Sequence, residues 1–328
     1  DFIEKPFKET RLSMMVARAL ENARLAQENV ELRARIDDDT NAELMGNSVA
    51  MRTIRQSIEK IAPALSRVLI SGPSGSGKEL AARAIHNQSN RSNERFVVAN
   101  CARLVSERVD AELFGAESLQ SHRRVVGLFE QAHRGTLYFD EICDLPMETQ
   151  GKIVRAVNEQ RFRRVGGSAE VVVDVRVISA SSRDLSREIS DGRLREDLYY
   201  RLGVVPLSMP SVADRREDIP ILAKYFTNRI AKRLGVKPIK LSDEIFAAME
   251  GYDWPGNVRQ IYNVIETLLI LAPSDRKQPV GLDLLPAEIQ NISRQTLNSD
   301  REQMMSFPLR GAREAFEREY LETQLHRF

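Results

Sequence analysis

The stretch Gly72-Pro73-Ser74-Gly75-Ser76-Gly77-Lys78-Glu79 decides the fold class of this chain of 328 residues. It follows the apolar run Val68-Leu69-Ile70 and leads into a helix-forming run, Leu80–His86. A strand, a glycine-rich loop and a helix in this order form a phosphate-binding loop, because the loop N–H groups and the helix N-terminus present partial positive charge. Lys78 adds a full positive charge for the β- and γ-phosphates. The stretch therefore predicts a binding site for ATP or ADP.

A second segment, Gly135–Glu141, is an apolar run that ends in two adjacent carboxylates, Asp140 and Glu141. At the end of a parallel strand, both carboxylates would lie at the carboxyl edge of the sheet, beside the phosphate-binding loop. We expect Asp140 to hold Mg²⁺ through water and Glu141 to polarise an attacking water. The alternative is a strand followed by a solvated acidic turn, and the upstream loop favours the catalytic interpretation.

Apolar, β-branched segments alternate with helical stretches from about Gly46 to about Leu207. This alternation predicts a parallel sheet that is covered by helices on both faces. After Pro210 the pattern becomes helix after helix through about Leu271, which predicts a helical lid. The expected fold class is therefore α/β, with a parallel five-stranded sheet and an α-helical lid subdomain. The candidate strands are residues 67–71, 96–99, 136–139, 176–180 and 204–207.

Composition places the chain among ordinary globular proteins, with 42% hydrophobic and 29% charged residues and a formal net charge of +1. This balance excludes a uniformly basic nucleic-acid coat but allows a small DNA-binding element. Cys101 and Cys143 form neither a CxxC pair nor a zinc-binding spacing, which favours a reduced, cytoplasmic compartment. No apolar run approaches the roughly 20 residues of a membrane span, so we expect no membrane association.

Five further blocks follow one another in a fixed order along the chain. They are Phe96–Cys101, Glu112–Gly115, Gly127–Glu130, Arg193–Leu202 and Trp254–Arg259. In this order they resemble the AAA+ domain of the sigma-54-dependent, NtrC-type transcription regulators. The resemblance spans roughly residues 46–271 and implies an AAA+ core that binds ATP or ADP with Mg²⁺, followed by the AAA+ helical lid.

The resemblance also assigns roles to individual residues around the nucleotide. It implies that Asn100 restrains the catalytic glutamate and that Arg259, in the sensor II block, touches nucleotide from the lid. Glu79 stands where the general motif has Ser or Thr, and glutamate is common at this position in the family. The implied cofactor-binding set is Gly72, Pro73, Ser74, Gly75, Ser76, Gly77, Lys78, Glu79 and Arg259.

Two arginines, Arg195 and Arg201, correspond to the trans-acting arginines of the family. A planar, permanently charged guanidinium suits the transition-state phosphate of a neighbouring subunit. The alternative is ion pairing on the helix surface with Glu196 and Asp197, which contributes little free energy.

The sequence departs from the family pattern at two places. Active sigma-54 contactors carry a Gly-Ala-Phe-Thr-Gly-Ala loop, whereas Ala116–Val126 is shorter and has neither its glycines nor its aromatic tip. ATP-driven movement would then have no contact through which to act on sigma-54. Ser181-Ser182-Arg183 stands where the family usually has Thr-Asn-Arg, so the shorter side chain of Ser182 is expected to weaken sensing of the γ-phosphate.

Both ends of the chain resemble parts of other response-regulator domains. Residues 1–20 resemble the end of a receiver domain, although a generic strand-loop-helix is an alternative. Residues 21–40 carry a short heptad seam with Asn29 at a core position, which predicts a dimerising linker helix. A single amphipathic helix packed on its own domain is the alternative there. Residues 309–328 show one apolar helical face and resemble the start of a Fis-like DNA-binding domain.

The expected domain organisation follows from these segments. It comprises the receiver end at 1–20, the linker helix at 21–40, the AAA+ α/β subdomain at 41–209, the helical lid at 210–273, a linker at 274–308 and the Fis-like start at 309–328. Because the chain begins at Asp1 without a methionine, we expect it to be a segment of a longer regulator.

Taken together, these features are most similar to the NtrX type of nitrogen-regulation response regulator, without the sigma-54-gripping loop. This resemblance implies a cytoplasmic homodimer or higher oligomer, a cognate sensor histidine kinase, RNA polymerase as partner, and DNA binding through a missing C-terminal domain. ATP hydrolysis would be slow. The alternatives are an active sigma-54-dependent ATPase whose altered loop still works, and a non-transcriptional AAA+ machine such as a chaperone.

Overall fold

The computed structural model of the protein describes residues 44–117, 124–273 and 279–291. The chain divides into two units, Asp1–Leu44 and Met45–Phe328, and all elements below belong to the second. The predicted receiver end, linker helix and Fis-like start lie outside the described residues. None of the described helices is long and apolar enough to cross a membrane.

The strands and helices of the described residues are numbered here in chain order. The strands are β1 Val68–Ser71, β2 Phe96–Asn100, β3 Ala116–Glu117, β4 Arg124–Val125, β5 Thr136–Asp140, β6 Arg161–Arg163, β7 Glu170–Val172, β8 Arg176–Ser181 and β9 Val205–Ser208. The helices are α1 Val49–Ile61, α2 Lys78–Asn87, α3 Val109–Phe114, α4 Leu128–Gln131, α5 Met147–Glu159, α6 Leu185–Ser190, α7 Glu196–Leu202, α8 Ile219–Leu234, α9 Asp243–Gly251 and α10 Asn257–Leu271.

A five-stranded sheet with the order β2-β5-β8-β1-β9 forms the centre of the α/β subdomain. All of its neighbouring strands are parallel. Every residue of β8 is buried, and so are the first four residues of β5. Continuous burial is expected for strands that are covered on both faces. The predicted fold class is confirmed, and the strand bounds agree with the prediction to within one residue.

The strand order brings the ends of three strands together at one edge of the sheet. Strand β8 lies between β1 and β5, with Ile178 in register with both Val68 and Tyr138. The phosphate-binding loop follows β1. Asp140 is the last residue of β5, with Glu141 directly after it, and Ser182 follows β8. The residues of the predicted nucleotide site therefore lie together at the carboxyl edge of the sheet.

Two hydrophobic cores support this arrangement. In the α/β subdomain, Phe129 lies at the centre of an aromatic cluster, stacked on Phe114 at a ring-centroid distance of 5.4 Å and tilted against Phe139 at 5.9 Å. In the lid, the fully buried Trp254 donates its indole N–H to the carbonyl of Met249 at 2.7 Å. Because the α/β subdomain and the lid each have a hydrophobic core, the lid packs as a separate subdomain against the sheet edge.

The lid packing continues beyond residue 273, where the sequence analysis placed its boundary. Val280 forms a β-bridge with Leu241, and Val280, Leu285 and Ile289 are buried in the lid core. The described part of the predicted linker, residues 279–291, is therefore packed against the lid. The prolines and irregular pattern of this segment gave no sign in the sequence that the chain packs back onto the apolar surface of the lid.

Candidate nucleotide-binding site

The phosphate-binding loop is shaped by glycines in the left-handed region. Gly72, Gly75 and Gly77 have φ values of 147°, 74° and 103°. A Cβ on Gly72 would lie 2.7 Å from the carbonyl oxygen of Met209, so the loop also depends on close backbone approach. Helix α2 starts at Lys78, and no side chain of the described residues caps its N-terminus. The uncapped N–H groups at this end suit a phosphate.

Lys78 lies beneath the loop, with only 6% of its side chain exposed. Its ammonium group donates to the carbonyl oxygens of Gly72 at 2.9 Å and Pro73 at 3.4 Å. It also pairs with Oε1 of Glu141 at 3.3 Å. A buried charge needs such partners, because an unpaired ammonium in this position would lose its hydration without compensation.

Glu141 is held on its other oxygen by Ser182. Oε2 of Glu141 accepts the backbone N–H of Ser182 at 2.8 Å and its hydroxyl at 2.9 Å. Glu141 also has a φ of 54°, a left-handed conformation that costs a non-glycine residue free energy. The carboxylate therefore bridges the end of β8 and the phosphate-binding lysine.

Asp140 ends β5 in a half-buried position. Its Oδ1 accepts the hydroxyl of Tyr138 at 3.0 Å. Burial raises the pKa of Asp140, while the bond from Tyr138 and the charge of Lys78 act in the opposite direction. Mg²⁺ is commonly held by one or two carboxylates together with phosphates and waters, so a single carboxylate beside a phosphate loop fits this ion.

Asn100 makes no hydrogen bond to Glu141 among the described residues, so the restraint that the resemblance implied is not formed here. It pairs in register with Asp140 across β2 and β5, and its Oδ1 is buried with no hydrogen-bond partner among the described residues. Both strands that flank β5 offer a polar side chain near its end, Asn100 at the end of β2 and Ser182 directly after β8. The Glu141 carboxylate turns to Lys78 and Ser182, where an ammonium and two donors attract it.

The side chain of Glu79 pairs with a residue of the same helix, α2. Its Oε1 accepts bonds from Arg83 Nε at 3.0 Å and Nη2 at 2.8 Å, and the Arg83 guanidinium lies 4.7 Å from the centre of the Phe96 ring. This is the ordinary pairing of residues four positions apart on a helix. Glu79 therefore stabilises the first turn of the helix that follows the loop.

The lid holds the carbonyl groups of the loop directly. Asn257 Nδ2 donates to Ser74 O, Val258 N donates to Gly75 O, and Arg215 Nη2 donates to Ser76 O, each at 3.0 Å. Asn257 and Arg215 are both 3% exposed. Sequence reasoning missed these two residues, because a contact between segments over 130 positions apart leaves no local signal.

Arg259 stands in the first turn of α10, beside the loop. A Cβ on Gly75 would lie 3.2 Å from the Cβ of Arg259, and Val258, the preceding residue, bonds to the loop itself. The structure thus brings Arg259 next to the phosphate-binding loop, as expected of a sensor II arginine. Its contact with nucleotide stays a prediction.

The two predicted trans-acting arginines have different surroundings. Arg195 makes a bidentate pair with Asp197, with both N–O distances at 2.9 Å, and its backbone N–H donates to the Gln150 side chain. Arg201 is exposed on α7. The pKa of Arg67 is lowered mainly by the burial of Arg67 and, to a smaller extent, by the charge of Arg201. Within one chain Arg195 is therefore an exposed ion pair, and the action of both arginines on a neighbouring subunit stays a prediction.

Strands β3 and β4 form the stem of the Ala116–Val126 segment, whose residues 118–123 are outside the described part. Arg164 ties the stem to helix α4. It makes a bidentate pair with Glu130 of that helix at 2.9 and 2.7 Å, and it lies 3.5 Å from Glu117 of β3. The bond from Arg164 holds the pKa of Glu130 below its usual range. This charged cluster anchors the stem.

Comparison with known protein families supports the assignment of the fold. Residues 44–208 match the model of the sigma-54 interaction domain, and residues 213–302 match the AAA+ ATPase lid domain. The second match extends past residue 273, as does the lid packing.

Known relatives agree with the family matches. The chain is 46% identical over 329 residues to the nitrogen assimilation regulatory protein NtrX of Azorhizobium caulinodans, covering 100% of this chain and 72% of that protein. It is 39% identical to a putative NtrX-like response regulator of Rickettsia felis, covering 100% of this chain and 69% of that protein.

Solved structures give the same result. Crystal structures of NtrX from Brucella abortus in complex with ADP and with ATP are each 48% identical to this chain, and cover all of it and 72% of their own chains. Their TM-scores are 0.75 and 0.74. The chain therefore belongs to the NtrX-like response regulators, whose AAA+ part consists of a sigma-54 interaction domain and a lid.

Proposed function

We propose that this chain binds ATP or ADP with Mg²⁺ at Gly72–Glu79 and serves a two-component response regulator that controls transcription independently of sigma-54. The observation that carries the nucleotide site is the buried Lys78, placed under the loop and paired with Glu141 at 3.3 Å. The crystal structures of Brucella abortus NtrX with ADP and ATP support the same assignment.

Nucleotide binding would use groups that already converge on the loop. Loop N–H groups and the start of α2 would receive the phosphates, and Lys78 would exchange its bonds to Gly72 and Pro73 for bonds to phosphate oxygens. Asp140 would hold Mg²⁺ through water, and the ion would supply positive charge against the phosphates. Arg259 would close the site from the lid.

Hydrolysis of the bound ATP would need groups from two subunits. Glu141 would polarise the attacking water, and Arg195 and Arg201 would stabilise the transition state in a neighbouring subunit. Arg195 would first have to leave Asp197, an exposed pair that is weak enough to exchange. Asn100 makes no hydrogen bond to Glu141 among the described residues, so it would act only after the glutamate turns away from Lys78 and Ser182. Slow turnover is therefore expected.

The output of the nucleotide cycle would be assembly or DNA affinity. Ala116–Val126 has no glycine and no phenylalanine, and its stem is anchored by Arg164. DNA would be bound through a C-terminal domain, a sensor histidine kinase would phosphorylate the receiver, and self-association would use the seam around Asn29. The regulator would act in the cytoplasm, on nitrogen metabolism, and through the housekeeping RNA polymerase.

One observation favours a second candidate function, an active sigma-54-dependent ATPase. The match of residues 44–208 to the sigma-54 interaction domain covers the whole α/β subdomain, including the Ala116–Val126 segment. If that segment still contacts sigma-54, the trans-acting arginines and Glu141 would drive remodelling. The two functions differ in their dependence on sigma-54 polymerase.

The nucleotide site is tested by calorimetric titration of ATP and ADP, with Mg²⁺, into the wild type and Lys78→Ala. Removing the ammonium should weaken binding about ten- to a hundredfold, because hydrogen bonds to charged groups contribute roughly 1.5–3 kcal/mol each. Lys232→Ala, which removes an exposed lysine from the lid helix α8, should bind as the wild type does. Equal affinities for the wild type and Lys78→Ala would refute the site.

A further inference from the structure

The Glu141 carboxylate is fully engaged in this structure. One oxygen contacts the Lys78 ammonium at 3.3 Å, and the other accepts two hydrogen bonds from Ser182, at 2.8 and 2.9 Å. Bonds of this kind, to an ionised acceptor, are among the stronger ones in proteins. Glu141 also has a left-handed backbone conformation, which costs free energy for a residue other than glycine.

We propose that Ser182 is a positioning residue that latches Glu141 onto Lys78, so that the γ-phosphate of ATP must displace this latch before it reaches the lysine. The proposal rests on nucleotide binding at the phosphate loop, as proposed above. It assigns to the residue after β8 the restraint that the family resemblance places at Asn100. Asn100 leaves its Oδ1 without a partner among the described residues, whereas Ser182 holds Glu141 by two bonds.

The latch distinguishes ATP from ADP by electrostatics. A γ-phosphate brings negative charge toward both Lys78 and Glu141, so it competes with the carboxylate for the ammonium and also repels it. ADP lacks this group and disturbs Glu141 less. Any change that releases Glu141 from Ser182 lowers the free energy required to displace the carboxylate, and therefore favours ATP over ADP.

The length of the side chain at this position sets its partner. The Ser182 hydroxyl lies one bond from Cβ and reaches Glu141 Oε2 at 2.9 Å, while the backbone N–H of the same residue bonds to the same oxygen. The latch thus has a backbone part, present whatever the side chain, and a hydroxyl part that substitution removes. Ser182 is exposed, so its replacement leaves the buried core intact.

The test is the ratio of ATP to ADP affinity, measured by calorimetry with Mg²⁺ under conditions that prevent turnover. Ser182→Ala removes the hydroxyl bond and should raise the preference for ATP about three- to tenfold. This is less than a buried bond to a charged acceptor contributes, because Ser182 is exposed and its backbone N–H still bonds to Glu141. Ser182→Thr keeps the hydroxyl and should retain the wild-type ratio. A merely structural role would change both affinities equally, so an unchanged ratio in Ser182→Ala would overturn the latch.

A double-mutant cycle with Glu141→Gln separates the latch from other effects of Ser182. Removing the carboxylate charge should itself raise the ATP preference, and adding Ser182→Ala in that background should then change nothing further. The same increase in both backgrounds would show that Ser182 acts without Glu141 and would overturn the proposal. A wild type that binds neither nucleotide would refute the nucleotide site itself, which is a distinguishable failure.

Discussion

Asn257, in the lid, donates its side-chain amide to the carbonyl of Ser74, in the phosphate-binding loop, at 3.0 Å. Its Oδ1 accepts the backbone N–H of Val212 at 2.8 Å, so one buried side chain joins three segments that are distant in sequence. Asn257 has a φ of 51°, a conformation that asparagine tolerates better than most residues. The loop that receives phosphate is therefore braced by the lid.

We expect Asn257→Gly to weaken ATP and ADP binding about equally, by roughly tenfold, because it removes two buried hydrogen bonds. Glycine accepts a positive φ, so the change isolates the side-chain bonds from backbone strain. Calorimetry gives the affinity, and chemical denaturation gives the accompanying loss in the free energy of unfolding. Wild-type affinity in a folded Asn257→Gly protein would show that the brace does not serve the nucleotide site.

Gly75 of the phosphate-binding loop packs closely against the lid. A Cβ at this position would lie 2.3 Å from the carbonyl oxygen of Gly256, and the φ of Gly75 is 74°. We therefore expect Gly75→Ala to separate lid and loop and to reduce nucleotide affinity severely, beyond the effect of backbone strain. The measurement is the same calorimetric titration, combined with thermal unfolding.

Gly192 provides a matched control for this substitution. Its φ is 71°, nearly that of Gly75, but a Cβ there would meet no atom within 4 Å. Gly192→Ala should lower the unfolding free energy by about 1 kcal/mol through strain alone and leave nucleotide affinity unchanged. If the two alanine variants bind nucleotide equally well, lid contact at Gly75 is not required for binding.

The buried His86 makes stability depend on pH. Its Nδ1 lies 2.9 Å from the hydroxyl oxygen of Thr136, and burial, followed by the charges of Arg176 and Arg83, lowers its pKa despite an opposing backbone bond with Glu94. Below the unfolded pKa of about 6.5, the unfolded chain binds a proton that the folded chain resists. The stabilisation by neutral His86 is therefore complete above that pH and is lost as the pH falls.

We expect the unfolding free energy to decrease from pH 7.5 to 5.5 by at most about 1.4 kcal/mol per pH unit from this residue. His86→Gln retains a polar partner for Thr136 and removes the titrating group, so its unfolding free energy should fall less steeply. Denaturant titrations of both proteins across this range provide the measurement. Parallel pH curves for the wild type and His86→Gln would assign the dependence to other groups.

Local sequence was sufficient to predict the sheet and the phosphate loop. The run Val68-Leu69-Ile70 before a glycine-rich loop gives β1, the loop and α2, because each depends on neighbouring residues only. The hydrogen bonds around Glu141 could not be predicted this way. They depend on side-chain positions in the folded site, where Lys78 and Ser182 contact Glu141 and Asn100 does not bond to it, although β2 and β8 both flank β5.

The same limit applies to the lid. Its helices are visible as periodic apolar patterns, but the bonds of Asn257 and Arg215 to the loop depend on how the lid docks. Arg259, which the family resemblance assigns to the nucleotide, lies beside Gly75 of the loop, and its contact with nucleotide stays a prediction. Long-range polar contacts between subdomains therefore need the structure.

The stem of the Ala116–Val126 segment is held by backbone hydrogen bonds and ion pairs. Glu117 donates its backbone N–H to the carbonyl of Val165, and Val165 donates to the carbonyl of Gly115, both at 2.9 Å. Together with the ion pairs of Arg164, these bonds fix the base of the segment on both sides. A remodelling ATPase also needs a contact with its target whose binding energy differs between nucleotide states, and Ala116–Val126 has neither glycine nor phenylalanine to supply it as the family loop does.

We therefore expect no ATP-dependent open-complex formation by sigma-54 polymerase in the presence of the phosphorylated, full-length regulator. The measurement is permanganate footprinting of a promoter that carries the regulator's binding sites, with an established sigma-54 activator on its own promoter as the positive control. The housekeeping polymerase should respond to the regulator at the same sites, and Lys78→Ala should abolish any nucleotide dependence of that response. Robust opening by sigma-54 polymerase would show that the shortened segment still contacts the sigma factor, and the active-ATPase alternative would then be correct.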